Sequence, residues 1–156
     1  MKTNSQSLDL AYEIAKSSDE WVAKRWDALD TKLQTTGVLA MGLAGGTPVI
    51  FRALELKFPP AWAVPAIACF VLALALTAIA RIYGSIGALN PGALYHENWL
   101  NCEPADFKMD FVKYAGSRFI KNARKQTQRY YFLAGATVLM GAGVAVAAVA
   151  LAVGHS

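Results

Sequence analysis

The constraint that most limits this chain is the distribution of its charges. Leu33–Phe51 is a run of 19 residues without Asp, Glu, Lys or Arg, bracketed by Lys32 and Arg52. Phe58–Ala80 is a second run, of 23 residues, bracketed by Lys57 and Arg81. From Tyr130 onward no charged residue occurs at all. A helix needs about 20 apolar residues to cross a hydrocarbon core of about 30 Å, and all three runs meet that length. A soluble helix keeps a polar face, but Val138–Val153 (VLMGAGVAVAAVALAV) has none. The pattern therefore predicts an all-α membrane protein with three transmembrane helices, plus amphipathic cytosolic helices at the N-terminus and in the middle. Composition agrees: 55% of residues are hydrophobic and 17% charged, against roughly 45–50% and 25% in soluble domains. Extensive disorder, a large multidomain enzyme and a disulfide scaffold are excluded on the same grounds. Cys69 lies in an apolar run and Cys102 in a polar one, so the two are not expected to pair.

Four segments follow. Residues 1–32 form an N-terminal cytosolic helical segment, 33–80 a two-span hairpin, 81–129 a cytosolic loop and basic helix, and 130–156 the third span with a short outer tail. The first run contains Gln34, Thr35, Thr36 and Gly45-Gly46-Thr47-Pro48, and Pro48 is expected to kink it. Pro59 and Pro60 suit the start of the second helix. Trp62, Tyr130 and Tyr131 suit interfacial anchors. The first 32 residues lack the apolar core of a signal peptide, so the first run is expected to act as an uncleaved anchor.

The basic residues set an expected orientation. Five lie before Leu33 and eight between Arg81 and Arg129, while the hairpin tip holds two. The positive-inside rule then predicts an N-terminus inside, a hairpin tip outside and a C-terminus outside.

Both cytosolic segments read as amphipathic helix. Leu8, Ala15, Val22 and Leu29 recur every seven residues, flanked by Tyr12, Trp26 and Leu33 and widened by Ile14 and Trp21. Ser17-Ser18-Asp19-Glu20 is compatible with a capping box, so one long helix and two short ones both fit. Gly84, Gly87, Asn90-Pro91-Gly92 and Asn101 mark a loop. Pro104 and Asp106 suit a helix start. Phe107, Phe111, Tyr114, Ala115, Phe119 and Ala123 follow helical spacing into the third span, with Gly116 the weak point.

Arg118, Lys121, Arg124, Lys125 and Arg129 place five bases in 12 residues with no acid. Two readings stand. Juxtamembrane bases attract anionic headgroups, at about 1 kcal/mol each near the surface; Arg and Lys also hold the phosphates of a nucleotide. Nucleic acid is disfavoured, because a negatively charged membrane competes for the same bases. Gly42 and Gly46 form a GxxxG pair, and Gly143 with Ala147 a small-xxx-small pair, suited to close helix packing within one chain or between copies in a homo-oligomer. No catalytic, metal or cofactor site is expected: His96 and His155 fall on opposite sides of the membrane, no cysteine pair has zinc spacing, and no phosphate loop follows a strand. Tyr95-His96-Glu97-Asn98-Trp99 reads as an interfacial loop.

Trp26-Asp27-Ala28-Leu29-Asp30-Thr31-Lys32 leads directly into the first span. It is similar to the aromatic-x-x-x-Asp-Thr-Lys approach of small bacterial membrane effectors, the SLATT-like and Pycsar transmembrane effector families. The layout of hairpin, loop, basic helix and final span resembles theirs over nearly the whole chain. The resemblance implies a bacterial inner membrane, with the N-terminus cytoplasmic and the C-terminus periplasmic, and a non-enzymatic effector of an anti-phage cyclic-nucleotide system. It would impair the inner membrane when a partner cyclase supplies the second messenger, with the Arg118–Arg129 stripe as candidate phosphate contact. A membrane-anchoring or scaffold subunit and a holin-like permeabiliser are the alternatives.

Overall fold

A computed structural model describes residues 3–54, 63–83 and 103–154. Three helices make up these residues: α1 (Thr3–Ala53), α2 (Ala63–Ile82) and α3 (Pro104–Gly154). Pro59, Pro60, Trp62, the Tyr95–Trp99 cluster, Cys102 and both histidines lie outside the described residues.

α1 is a single helix of 51 residues. Ser17 does not cap a second helix; its hydroxyl donates to the Ile14 carbonyl at 3.0 Å and the helix runs on. Pro48 is accommodated inside α1. It has no N–H to donate, and the neighbouring Thr47 hydroxyl bonds back to the Leu43 carbonyl at 2.6 Å. α2 closes with Tyr83 N–H on the Ile79 carbonyl. α3 starts where Phe107 N–H meets the Glu103 carbonyl, with Pro104 and Asp106 in the first turn, and continues unbroken through Gly116 for 51 residues. At about 1.5 Å per residue, α1 and α3 each extend about 76 Å, more than twice a bilayer's hydrocarbon thickness.

Two helices, α2 and α3, are long and apolar enough to cross a membrane. α1 does not reach that standard. Its apolar run is diluted by Gln34, Thr35, Thr36, Thr47, Pro48 and four glycines.

The chain divides into two compact units: residues 1–27 with 85–126, and residues 28–84 with 127–156. In the first unit, α1 and α3 run parallel. Asp9 pairs with Lys108, and the Tyr12 ring packs on Phe111 at 4.9 Å between centroids and on Phe107 at 6.5 Å. Val22, Trp26 and Phe111 are buried. Ile14 and Trp21, expected on the packed stripe, are exposed instead, and Arg25 covers the Trp21 ring at 4.5 Å. They lie off the Tyr12–Ala15–Val22 line of α1, and Ile14 edges an open cavity between α1 and α3 instead of packing in the interface.

The second unit is a three-helix bundle. One layer joins Leu29 and Leu33 of α1 to Ala80 of α2 and to Phe132 and Leu133 of α3. The next joins Ala40, Ala73 and Ala136, and the third Phe51, Ala63 and Ala150. Residue numbers rise along α1 and α3 while they fall along α2, so α2 runs antiparallel to its two neighbours. The buried positions of α2 (63, 66, 70, 73, 77 and 80) alternate steps of three and four. Those of α3 (Arg129, Ala136, Gly143 and Ala150) recur every seven. This is the 3.5-residue period that keeps one face of a helix on its partner.

Most of the buried positions are small residues, which lets the helix backbones approach closely. Gly143 shows this most directly: a Cβ there would stand 2.6 Å from Cε1 of Phe70, whose ring is itself buried. Gly42 and Gly46 meet nothing within 4 Å. Replacing Gly143 by Ala should therefore destabilise the fold by about 1–3 kcal/mol through overpacking. Gly42→Ala should be neutral, or stabilising by up to about 1 kcal/mol through helix propensity. Denaturant or thermal melts of the two variants in the same detergent check the contrast.

Candidate functional site

A helix of 20 residues leaves its last four carbonyls without partners in the helix. In α2 one of these belongs to Ala80, inside the bundle. The Arg129 side chain of α3 reaches it: Nε–H donates to the Ala80 carbonyl at 2.8 Å. The same guanidinium donates through Nη2 to Oδ1 of Asp30, on α1, at 2.9 Å. One side chain thus caps α2, offsets the negative end of its dipole and ties all three helices of the unit. Arg129 is 2% exposed and is among the largest fully buried side chains of the described residues. Asp30 keeps 40% of its side-chain surface open to solvent. Arg81 is a second cation at the site, its Nε 4.0 Å from the same Asp30 oxygen.

The five bases of the Arg118–Arg129 stripe are not gathered at one place. Arg129 faces inward on the line that continues through Ala136, Gly143 and Ala150. Lys121, Arg124 and Lys125 are exposed. Arg118 is half-buried, its guanidinium 5.1 Å from the Tyr114 ring, and its Nη1 atom is buried without a hydrogen-bond partner among the described residues. Of the small-residue positions, Gly143 is buried against Phe70, Ala147 is half-buried, and Gly42 and Gly46 face open space.

The first unit also holds a cavity of about 340 Å³ between α1 and α3, lined by Ala11, Ile14, Ala15, Ala115, Gly116 and Phe119 among others. Its charged lining residue is Asp19. An apolar hollow edged by a carboxylate does not suit a phosphate, and none of the five stripe bases lines it. No group of three or more metal-ligating side chains occurs among the described residues.

Sequence reasoning placed Arg129 with the phosphate contacts and missed its partners. The available signal was its heptad register: counting forward in sevens from Arg129 reaches Ala136, Gly143 and Ala150. Asp30 shares a face of α1 with Trp26 and Leu33, at steps of four and three.

Arg129→Ala should lower stability by about 1.5–3 kcal/mol, the range for a hydrogen bond to a charged group. Arg129→Lys should recover only part of that, because one ammonium does not reproduce the planar fork that reaches both acceptors. Unfolding of the two variants in matched micelles measures the difference.

Comparison of the chain with protein-family models, with curated proteins and with solved structures finds no match.

Proposed function

We propose that the protein is an integral membrane effector without catalytic activity, inserted through three spans with the first formed by the apolar part of α1. The observation that carries this reading is the distribution of side-chain size in the three-helix unit. Alanine and glycine take most of the buried positions, beside Leu29, Leu33, Phe51 and Phe70, while Val38, Leu39, Met41, Val49 and Ile50 of α1, Val64, Val71 and Leu72 of α2, and Val138, Val144 and Val149 of α3 face outward. Contiguous exposure of that kind is unfavourable in water and is how helices meet lipid. α1 shares the pattern with α2 and α3, which favours three spans over two.

The charge asymmetry supports an N-terminus in the cytoplasm and a C-terminus outside. Lys121, Arg124 and Lys125, exposed along α3, suit contact with anionic phosphate, from lipid headgroups or a nucleotide. Within this setting the effector reading comes from the resemblance of the Trp26–Lys32 approach and the layout. A cyclic nucleotide from a partner cyclase is sensed on the cytosolic side, copies of the chain assemble, and the inner membrane is impaired. A membrane-anchoring scaffold is the second reading; the apolar cavity of the first unit, which suits a protein partner better than an anion, favours it.

Two measurements test these statements. A reporter fused after Ser156 should be active only if exported, and cytosolic activity overturns the topology. Co-expression with a cognate cyclase should depolarise cells. An unchanged membrane potential, with a neighbouring protein co-purifying in detergent, replaces the effector by the scaffold.

A further inference from the structure

Asp9, Asp19 and Asp30 of α1 are spaced by 10 and 11 residues, and so are Lys108, Arg118 and Arg129 of α3. Three helical turns take about 10.8 residues, so each trio stays within one face of its helix. Asp9 pairs with Lys108 and Asp30 with Arg129, each across 99 positions. Asp19 and Arg118 are separated by the same 99 positions, yet the pair is not made. Arg118 lies over the Tyr114 ring instead. Asp19, half-buried, has neither an ion pair nor a hydrogen bond among the described residues.

Asp19 faces the cavity of about 340 Å³ in the first unit. A Cβ on Gly116, one of the lining residues, would meet nothing within 4 Å, so the hollow reaches the α3 backbone. Ile14 and Phe119 line it and are exposed, which leaves it open at the surface. Small-molecule sites are typically about 300–1,000 Å³, with apolar walls and few polar groups. Here the polar lining side chains are Asp19 and Ser18, and the rest are apolar.

We infer that this cavity binds an organic cation, an ammonium or amidinium group carried on an aliphatic or aryl body. The cation meets Asp19, where the register of the other two pairs puts a base, and the Ser18 hydroxyl adds an acceptor. The body lies against Ala11, Ala15, Ala115 and Gly116. A metal ion takes about six oxygen ligands and finds one carboxylate here. An anion is repelled, and a neutral molecule leaves the carboxylate without a counter-charge. Such a site is compatible with an effector and with a scaffold alike.

Calorimetric titration of the full chain in maltoside micelles, against empty micelles, tests the site with two probes of one shape: 3-phenylpropylammonium and the neutral 3-phenylpropanol. The wild-type chain should bind the ammonium about fivefold more tightly, the scale of a partly solvated ion pair. Asp19→Asn should bring the two affinities together while leaving that for the alcohol unchanged. Asp9→Asn removes a carboxylate outside the cavity and should change neither. Gly116→Leu should abolish binding of both probes by filling the hollow, with the melting temperature held or raised, because leucine suits a helix better than glycine. Equal affinities in the wild-type chain, a preference that survives Asp19→Asn or vanishes with Asp9→Asn, or binding undiminished by Gly116→Leu each overturns the site.

Discussion

Close approach of helix backbones is the constraint on which the three-helix unit depends. Ala40, Ala73 and Ala136 meet in one layer, and Gly143 lies against the Phe70 ring with no room for a Cβ. Small residues gain little by burial, since the hydrophobic contribution scales with apolar area. Their value lies in the dispersion contacts that become available when backbones come near. Many large aliphatic side chains, among them Val38, Leu39, Val71 and Val144, are then left to the outside. A bundle built in this way is at odds with water and at ease in hydrocarbon. Packing thus supports the proposed membrane setting beside the length and hydropathy of α2 and α3.

The one charged side chain buried in this packing among the described residues, Arg129, is explained by a backbone need. Ala80 is fully buried in the otherwise exposed last turn of α2, so its carbonyl requires a donor. Arg129 supplies it through a side chain long enough to cross the helix interface, and Asp30 neutralises the charge this brings in. The cost of burying a guanidinium is thereby spread over three helices. Asp9 and Lys108 form the corresponding α1–α3 pair of the other unit, separated by the same 99 residues as Asp30 and Arg129. That pair is partly exposed and contributes little.

Much of the helical pattern was readable in advance. The run from Pro104 to the end of α3 has no breaker, and the structure keeps it whole. Val22, Trp26, Leu29 and Leu33 are buried as their spacing predicts. Ile14 and Trp21 were misplaced because a periodic stripe shows which residues share a face, not how wide a partner covers it. Gly42 and Gly46 form a familiar packing motif, yet among the described residues nothing stands within 4 Å of where their Cβ atoms would be. The phosphate stripe was drawn from proximity in the chain, which treats five bases as equivalent. Their helical phase separates Arg129, turned inward, from Lys121, Arg124 and Lys125, turned out.

By itself, the order of residues determined that the chain is helical and rich in uncharged segments, and it placed the helices, because local periodicity and the absence of breakers suffice for that. It did not determine which face of each helix meets another, because an apolar helix with little polar contrast has no marked side. Only the tertiary packing decided that Ala40, Ala73, Ala136 and Gly143 point in while Val38, Val71 and Val144 point out, and that Asp30, Ala80 and Arg129 meet. These groups are distant in sequence, and what brings them together is a carbonyl at a helix end that needs a donor.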